Sequence, residues 1–304
     1  MKRFIIWISI ILSLLLLADL SAGLLRKGFY RSDRDFSKVE YIVRHADEDV
    51  IIIGNSAAES HLDPVKIADS LRLSCFNGGR GGASIKFHLA LIRLLLERHR
   101  PKVILYAINS NNLFVSKDQG SFDLLKPLYG LHSELLDSIM DQHYPDENLL
   151  FRSNLWLLNP NLVDLCLYKS GKAVPLLIEN KGFKPLQSLL PVDKISRSES
   201  IGVDKDIFND LKSIKDICQQ AGVRLFIMIT PDYIFRSNSP LLRETLLSLS
   251  DDNQTCSVWY DADNPFFKSD SLHFFDHTHL NKAAAEIYTD SIISRIKPII
   301  GKSI

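Results

Sequence analysis

Short apolar runs rich in β-branched residues alternate with stretches of helical periodicity over most of the chain. The run DVIIIG at 49–54 ends in a glycine and is typical of a strand that is buried on both faces. Similar runs lie at Leu73–Phe76, 102–108, Val223–Ile229 and Ser257–Tyr260. Helical patterns lie at Pro64–Leu71, Ser84–Arg98, 204–221, Pro240–Leu249 and Asn281–Ile296. This alternation predicts an α/β fold in which a central parallel sheet of about five strands is covered by helices.

Residues 113–203 interrupt the alternation. This segment has clusters of Trp, Tyr and Leu but no convincing strand. Because a structureless loop of this length is rare inside a compact domain, we predict a mainly helical insertion. Ligands bind at the carboxyl ends of the strands in sheets of this type, so we expect the insertion to cap those ends.

The amino-terminal segment predicts a membrane helix. Lys2 and Arg3 precede an apolar stretch from Phe4 to Leu25 that only Asp19 interrupts. Basic residues before such a stretch favour a cytoplasmic N-terminus and a translocated remainder. An uncleaved anchor, a cleaved signal and a buried core helix are the three interpretations of this pattern. We expect an anchor at 1–25, a linker or peripheral helix at 26–48 and an extracytoplasmic domain at 49–304.

The composition excludes several classes of protein. Lys plus Arg and Asp plus Glu both number 36, so the net charge is zero and a nucleic-acid partner is not expected. The four cysteines Cys75, Cys166, Cys218 and Cys256 have no metal-ligand spacing, and we interpret them as buried apolar residues, with a disulfide between two of them as the alternative outside the cytoplasm. We expect neither a metal nor another cofactor.

Two short segments carry candidate chemistry. Ser56 comes two residues after the first predicted strand, where a serine next to a base can act as a nucleophile, although it can also simply cap a helix. Asp276 and His279 lie three apart just before the last predicted helix. In one tight turn the carboxylate can orient the imidazole and leave its second nitrogen free to accept the serine proton. The alternative is that Asp276 is a surface residue beside incidental histidines. His277 and His279 could also suggest a metal site, but the sequence offers no third ligand at a suitable spacing.

Candidate oxyanion donors follow the second and third strands. Gly82 lies in a glycine-rich turn and can offer a backbone N–H, whereas Asn111 can offer a side-chain amide. Glycine and asparagine are also common turn residues, so each has a purely conformational explanation. Asn109 and Asn112 are alternatives to Asn111.

Taken in order, these blocks resemble those of the SGNH/GDSL hydrolase superfamily, with Asp276-x-x-His279-Leu280-Asn281 the most specific. The resemblance covers about residues 49–112 and 204–297. It implies a flavodoxin-like three-layer sandwich, with Ser56 as nucleophile, His279 as base and Asp276 as its orienter. It also implies an oxyanion hole made by Ser56, Gly82 and Asn111. The first block reads GNS where GDS is usual, and the third reads SNN where GxND is usual.

The anchor and the insertion are similar to the cell-envelope branch of that superfamily. This similarity implies an acyl ester, such as an acetyl ester, on a glycan or envelope polymer, and a membrane-bound acyl-exporting partner. Three functions remain open: an esterase, an O-acyltransferase using the same acyl-serine, and a non-catalytic envelope binding or assembly protein. The sequence does not separate the first two, because the same residues serve both.

Overall fold

The computed structural model describes residues 1–30, 37–114, 118, 120–159, 162, 180–187, 196–198, 202–251 and 255–301. These residues form two compact units. The helical unit combines Met1–Glu40 with Gly120–Val174, and the α/β unit combines Tyr41–Gln119 with Pro175–Ile304.

The elements follow one another in an alternating order through the α/β unit. The strands are β1 Val50–Gly54, β2 Cys75–Asn77, β3 Val103–Ile108, β4 Ser196–Ser198, β5 Arg224–Ile229, β6 Ile234–Arg236 and β7 Cys256–Tyr260. The α-helices are α1 Lys2–Tyr30, α2 Lys38–Arg44, α3 Ser56–His61, α4 Pro64–Leu71, α5 Ile85–Arg98, α6 Glu134–His143, α7 Asn154–Leu158, α8 Lys205–Gln220, α9 Ser239–Leu247, α10 Pro265–Lys268 and α11 Lys282–Ile300. Short 3₁₀ turns occur at Ser110–Leu113, Phe122–Leu128, Leu150–Arg152 and Ser271–His273.

The predicted central sheet is confirmed. It has five strands in the order β2-β1-β3-β5-β7, and each neighbouring pair is parallel. Among these five strands the order along the chain is 2-1-3-4-5, which is that of flavodoxin-like doubly wound folds. The strand order reverses between β1 and β3, so the carboxyl ends of these two strands flank the crevice in which such folds bind ligands.

Burial explains why the strand segments are apolar throughout rather than alternating. Every residue of β1 and β3 is buried, as expected for strands covered on both faces. On one face the core is closed by α11, whose residues Ala285, Tyr288 and Ile292 are fully buried. Asn281 begins this helix by accepting the N–H of Ala284, so the segment carrying Asp276 and His279 leads directly into a fixed element.

The helical unit is built around α1. This is the one helix in the described part of the chain that is long and apolar enough to cross a membrane, and its apolar window is not buried. The helix continues past the predicted end at Leu25 to Tyr30, and Lys38–Arg44 is helical, so helix occupies much of the predicted linker at 26–48.

The described part of the predicted insertion contains α6, α7 and 3₁₀ turns. The insertion was expected to contain no strand, but β4 lies within residues 113–203 and pairs in parallel with β6. Residues 113–119 and 175–203 belong to the α/β unit, so only Gly120–Val174 lie with α1. That the insertion caps the strand ends stays a prediction. Cys75, Cys218 and Cys256 are free and buried, as interpreted, whereas Cys166 lies outside the described residues.

Candidate active site

Ser56 begins α3 at the carboxyl end of β1. Gly54 has a φ of +149°, and an added Cβ would lie 1.8 Å from the Ala107 carbonyl oxygen on β3, so only glycine fits there. The side chain of Asn55 caps α3 by accepting the N–H of Ala57 at 2.9 Å. A short buried strand, a glycine and a capping asparagine therefore fix the turn that presents the half-buried Ser56 hydroxyl.

The structure brings Ser56, His279 and Asp276 into contact in that order. The Ser56 hydroxyl lies 2.7 Å from Nε2 of His279. On the other side of the ring, Nδ1 lies 2.8 Å from one Asp276 oxygen and 2.9 Å from the other. With the Nδ1 proton directed to the carboxylate, Nε2 is an acceptor for the serine proton. Both hydrogen bonds are within the range expected of a base prepared to activate a nucleophile.

The Asp276 carboxylate is held by the backbone of its own turn. It accepts the N–H groups of Thr278 at 2.7 Å and His279 at 2.9 Å. Burial raises the pKa of Asp276, but the hydrogen bonds from His279 and Thr278 outweigh it, so the net pKa lies well below the ordinary value of 3.8. The group is therefore ionised at neutral pH, as an orienter of the imidazole must be.

His61 is a second imidazole next to His279. Its ring is fully buried, and its centroid is 6.1 Å from that of His279 in an edge-on arrangement. Its Nε2 accepts the N–H of Leu280 at 2.9 Å, which fixes the backbone just after the base. Burial, together with the neighbouring His279, lowers the pKa of His61 well below its usual value. His61 is thus a neutral positioning group rather than a second base.

The glycine-rich turn after β2 lies beside the nucleophile. A Cβ added to Gly81 would lie 3.7 Å from the Cβ of Ser56, whereas the predicted donor Gly82 adopts a positive φ of +76°. The N–H of Gly81 donates to Oε2 of Glu59 at 3.3 Å. Gly81 is therefore the glycine in demonstrated proximity to Ser56, and the role of Gly82 as an oxyanion donor stays a prediction.

The three asparagines after β3 have different environments. Asn109 is buried and its side chain caps the following 3₁₀ turn by accepting the N–H of Asn111 at 3.1 Å. The side-chain oxygen of Asn112 accepts the amide of Asn55 at 2.5 Å, so the turns after β1 and β3 contact each other through these two side chains. Asn111 is exposed. Asn109 and Asn112 both make these contacts with the side-chain oxygen, so their Nδ2 amides remain possible donors beside that of Asn111, and the choice of Asn111 stays a prediction.

Arg236 orients the Asn111 side chain. Its guanidinium donates from one terminal nitrogen to Oδ1 of Asn111 at 2.8 Å and from the other to Asp232 at 3.0 Å. Arginine has only donors, so the Asn111 oxygen must face it and the Nδ2 amide must point elsewhere. Asp232 is fully buried and also accepts the Ser110 hydroxyl, which ties this ion pair to the turn after β3. Burial raises the pKa of Asp232, against the opposing effect of Arg236.

Acyl transfer is the chemistry that this set of groups can perform. It offers a hydroxyl with an adjacent base and an ionised orienter of that base. Within the described ranges, no three His, Cys, Asp or Glu side chains are grouped as metal ligands.

Three features of the site were not predicted from the sequence. They are the contact of His61 with Leu280, the proximity of Gly81 to Ser56 and the Asp232–Arg236 pair. The Asp232–Arg236 pair had a usable signal, since an acid and a base four residues apart follow a predicted strand at the edge where ligands bind. Nothing in the spacing indicates that this pair contacts Asn111, which lies 125 residues earlier.

Comparisons with known proteins identify no family. A scan against family models and a search of curated proteins give no match to this chain. Among solved structures, the chain is similar to a Streptococcus pneumonia protein described as a candidate platelet activating factor, at 12% identity and a TM-score of 0.45. The match covers 95% of this chain and 99% of that one. At this level of similarity the site must be judged on its own geometry.

Proposed function

We propose that the chain is an SGNH/GDSL-type serine enzyme that transfers acyl groups, such as acetyl, through an acyl-serine. The observation that carries the proposal is the continuous contact from the Ser56 hydroxyl through His279 to Asp276. A helix-capping serine needs no imidazole 2.7 Å from its hydroxyl, and an incidental surface histidine needs no buried neighbour holding its backbone.

Each proton transfer in the proposed reaction has a residue that carries it out. Ser56 Oγ attacks the ester carbonyl while His279 Nε2 takes the hydroxyl proton, and Asp276 stabilises the imidazolium. The oxygen that becomes negative is met by amide donors, for which Asn111 Nδ2 and the backbone N–H groups of Ser56 and Gly82 are the candidates. The leaving alcohol receives the Nε2 proton. Water or a second hydroxyl then attacks the acyl-serine and returns a proton through His279 to Ser56.

Location restricts the substrate class. Lys2 and Arg3 begin an apolar helix that is long enough to span a bilayer, and basic residues at this end favour an extracytoplasmic position for the α/β unit. The substrate proposed for an enzyme in that position is an acyl ester of a surface glycan or envelope polymer. An O-acyltransferase, supplied by a membrane-bound acyl exporter, uses the same residues as an esterase. A non-catalytic envelope protein is the competing class.

Turnover of a small ester tests the proposal. Purified full-length protein is assayed with p-nitrophenyl acetate, with and without an acetylatable oligosaccharide acceptor. Ser56→Ala should lower the rate by about 10³-fold or more, because the members of such a set act as a unit. Ser60→Ala is the matched control: Ser60 lies on the same helix and its hydroxyl donates only to the Ser56 carbonyl. Equal rates for the wild type and Ser56→Ala would reject a serine enzyme.

The acceptor distinguishes the two enzyme classes. Acetylated oligosaccharide detected by mass spectrometry would identify a transferase, and release of free acetate alone would identify an esterase. Protease added to intact spheroplasts tests the location. Digestion of the α/β unit is expected, and its full protection would reject the extracytoplasmic assignment.

A further inference from the structure

Asp19, the single charge inside the apolar stretch, has a specific partner in the helical unit. Its carboxylate accepts the Ser153 hydroxyl at 2.7 Å, the Leu155 N–H at 3.0 Å and the Asn154 amide at 3.2 Å. These groups form the beginning of α7. A charged residue in a membrane helix is costly unless it is paired or lies at the water boundary, and Asp19 is satisfied by these donors.

Arg26 makes a second attachment two turns further along α1. The guanidinium is buried and donates to the Asn154 side-chain oxygen, to the Pro127 carbonyl and to the Tyr129 carbonyl. Ala22 is buried between the two attachments, and a Cβ on Gly23 would lie 3.0 Å from the Asn154 amide. The end of α1 is therefore an integral part of the helical unit, as expected of a retained anchor and not of a removable signal.

The position of Asp19 sets the level of α7 relative to a bilayer. Lys2 and Asp19 are 17 positions apart, which is about 25 Å along an α-helix at 1.5 Å per residue. That length approaches the roughly 30 Å of a hydrocarbon core, so Asp19 falls at its outer boundary when Lys2 lies at the inner one. The beginning of α7, which Asp19 binds, must then lie in the headgroup region.

An exposed apolar patch is continuous with that attachment. We call Leu149, Leu150, Leu155 and Trp156 the boundary patch; they are 72%, 42%, 37% and 37% exposed. The Trp156 indole donates to Glu147 at 3.0 Å. This hydrogen bond connects Leu155–Trp156 to the segment before Leu149–Leu150, and Ser153, which binds Asp19, lies between these two halves of the patch. Exposed leucines would be costly in water, whereas tryptophan is enriched where a bilayer meets water.

We propose that the boundary patch inserts into the outer headgroup region of the bilayer that α1 spans. The proposal rests on the membrane anchoring proposed above and is independent of the chemistry at Ser56. The occupant is the lipid interface itself, because the helix that binds the patch is the one that enters the membrane. Exposed Arg152, between the two halves of the patch, adds a cation that suits anionic headgroups. The helical unit thus attaches the end of α1 to the membrane surface.

Lipid quenching of site-specific probes tests the proposal. Full-length Leu149→Cys and Leu155→Cys variants are labelled with an environment-sensitive nitrobenzoxadiazole probe and placed in phosphatidylcholine–phosphatidylglycerol nanodiscs. Native Cys75, Cys218 and Cys256 are buried, and the wild type treated with the same probe corrects for any reaction of these thiols and of Cys166. Ser138→Cys, on an exposed position of α6, is the matched control within the same unit. Circular dichroism confirms that each variant is folded.

The expected result is blue-shifted emission at both patch positions, quenched by lipids brominated near the headgroup, with no quenching at position 138. Unquenched probes at both patch positions in a chain that resists carbonate extraction would overturn this inference alone. Equal quenching at 138 would also overturn it, since contact would not be confined to the patch. Release of the chain by carbonate would overturn the anchoring and this inference together, while leaving the Ser56 chemistry to its own test.

Discussion

Replacing Arg236 by lysine tests whether this side chain acts through Asn111. The guanidinium uses one terminal nitrogen for Asp232 and the other for the Asn111 oxygen. A lysine has a single nitrogen and cannot hold both partners in the same fork geometry. The substitution retains a cation beside the buried Asp232, whereas a neutral residue would leave Lys268, at 4.0 Å, as its remaining cation and would cost up to about 5 kcal/mol in stability.

The magnitude follows from the lost contact. A hydrogen bond with one charged partner contributes about 1.5–3 kcal/mol, which corresponds to about 10- to 100-fold in kcat if all of it served to hold the amide in place. Removing the donor itself, in Asn111→Ala, should cost about 10²- to 10³-fold. We expect Arg236→Lys to lower kcat for p-nitrophenyl acetate within the smaller range and to leave KM nearly unchanged.

A double-mutant cycle decides whether Arg236 is a positioning residue. If it acts only through Asn111, the Asn111→Ala/Arg236→Lys double variant should be no slower than Asn111→Ala alone. Arg295→Lys is the matched control, because Arg295 forms a similar ion pair with Asp261 at 2.8 Å but has no contact with the Asn111 turn. Fully multiplicative losses, or an Arg236→Lys enzyme with wild-type kcat and normal thermal unfolding, would refute this reasoning.

Three further predictions concern Asp276, His61 and the insertion. Because the pKa of Asp276 is lowered in the folded state, the ionised carboxylate contributes its full stability above about pH 4, and this contribution is lost as the pH falls further. Asp276→Asn should therefore flatten the acid side of a Tm–pH profile. An unchanged profile would contradict this assignment. Asp276→Asn should also lower kcat less than His279→Ala does. His61→Gln keeps an acceptor for the Leu280 N–H, whereas His61→Leu removes it. The leucine variant should therefore lose about 1–3 kcal/mol more of the free energy of unfolding, measured in urea, than the glutamine variant. Equal losses would contradict the role given to that contact. Replacing 120–174 by a Gly/Ser linker should leave Ser56 reactive and raise hydrolysis of p-nitrophenyl acetate relative to transfer, whereas unchanged rates of both would reject a cap.

The sheet could be predicted because its strands are buried on both faces. Runs such as 49–54 and 102–108 are continuous apolar segments of strand length. Because a helix lies between successive strands, neighbouring strands can pair in parallel, as they do in the sheet. Boundaries were less accurate, since β2 is Cys75–Asn77 and not Leu73–Phe76. The polar Asn77 belongs to the strand because its side-chain amide donates to two carbonyl groups, which an apolar pattern does not reveal.

The contacts of the site could be predicted only where they are local or depend on strand ends. Asp276 and His279 are three residues apart, so their spacing alone places the carboxylate on the ring, and Ser56 lies at the edge that the topology makes the ligand edge. The choice between Gly81 and Gly82 depends on the turn conformation, which four glycines in close succession leave undetermined. The attachments of Asp19 and Arg26 join residues more than 100 positions apart, and no local pattern encodes them.

An activated serine is the central claim, and covalent labelling tests it most directly. The full-length protein is treated with a fluorophosphonate at neutral pH, digested and mapped by mass spectrometry. The contact between Ser56 and His279 predicts a single adduct on Ser56 that is lost in Ser56→Ala and strongly slowed in His279→Ala, with Ser60→Ala labelled as the wild type is. A folded wild type that acquires no adduct on Ser56, or one that His279→Ala labels at the same rate, would contradict the account.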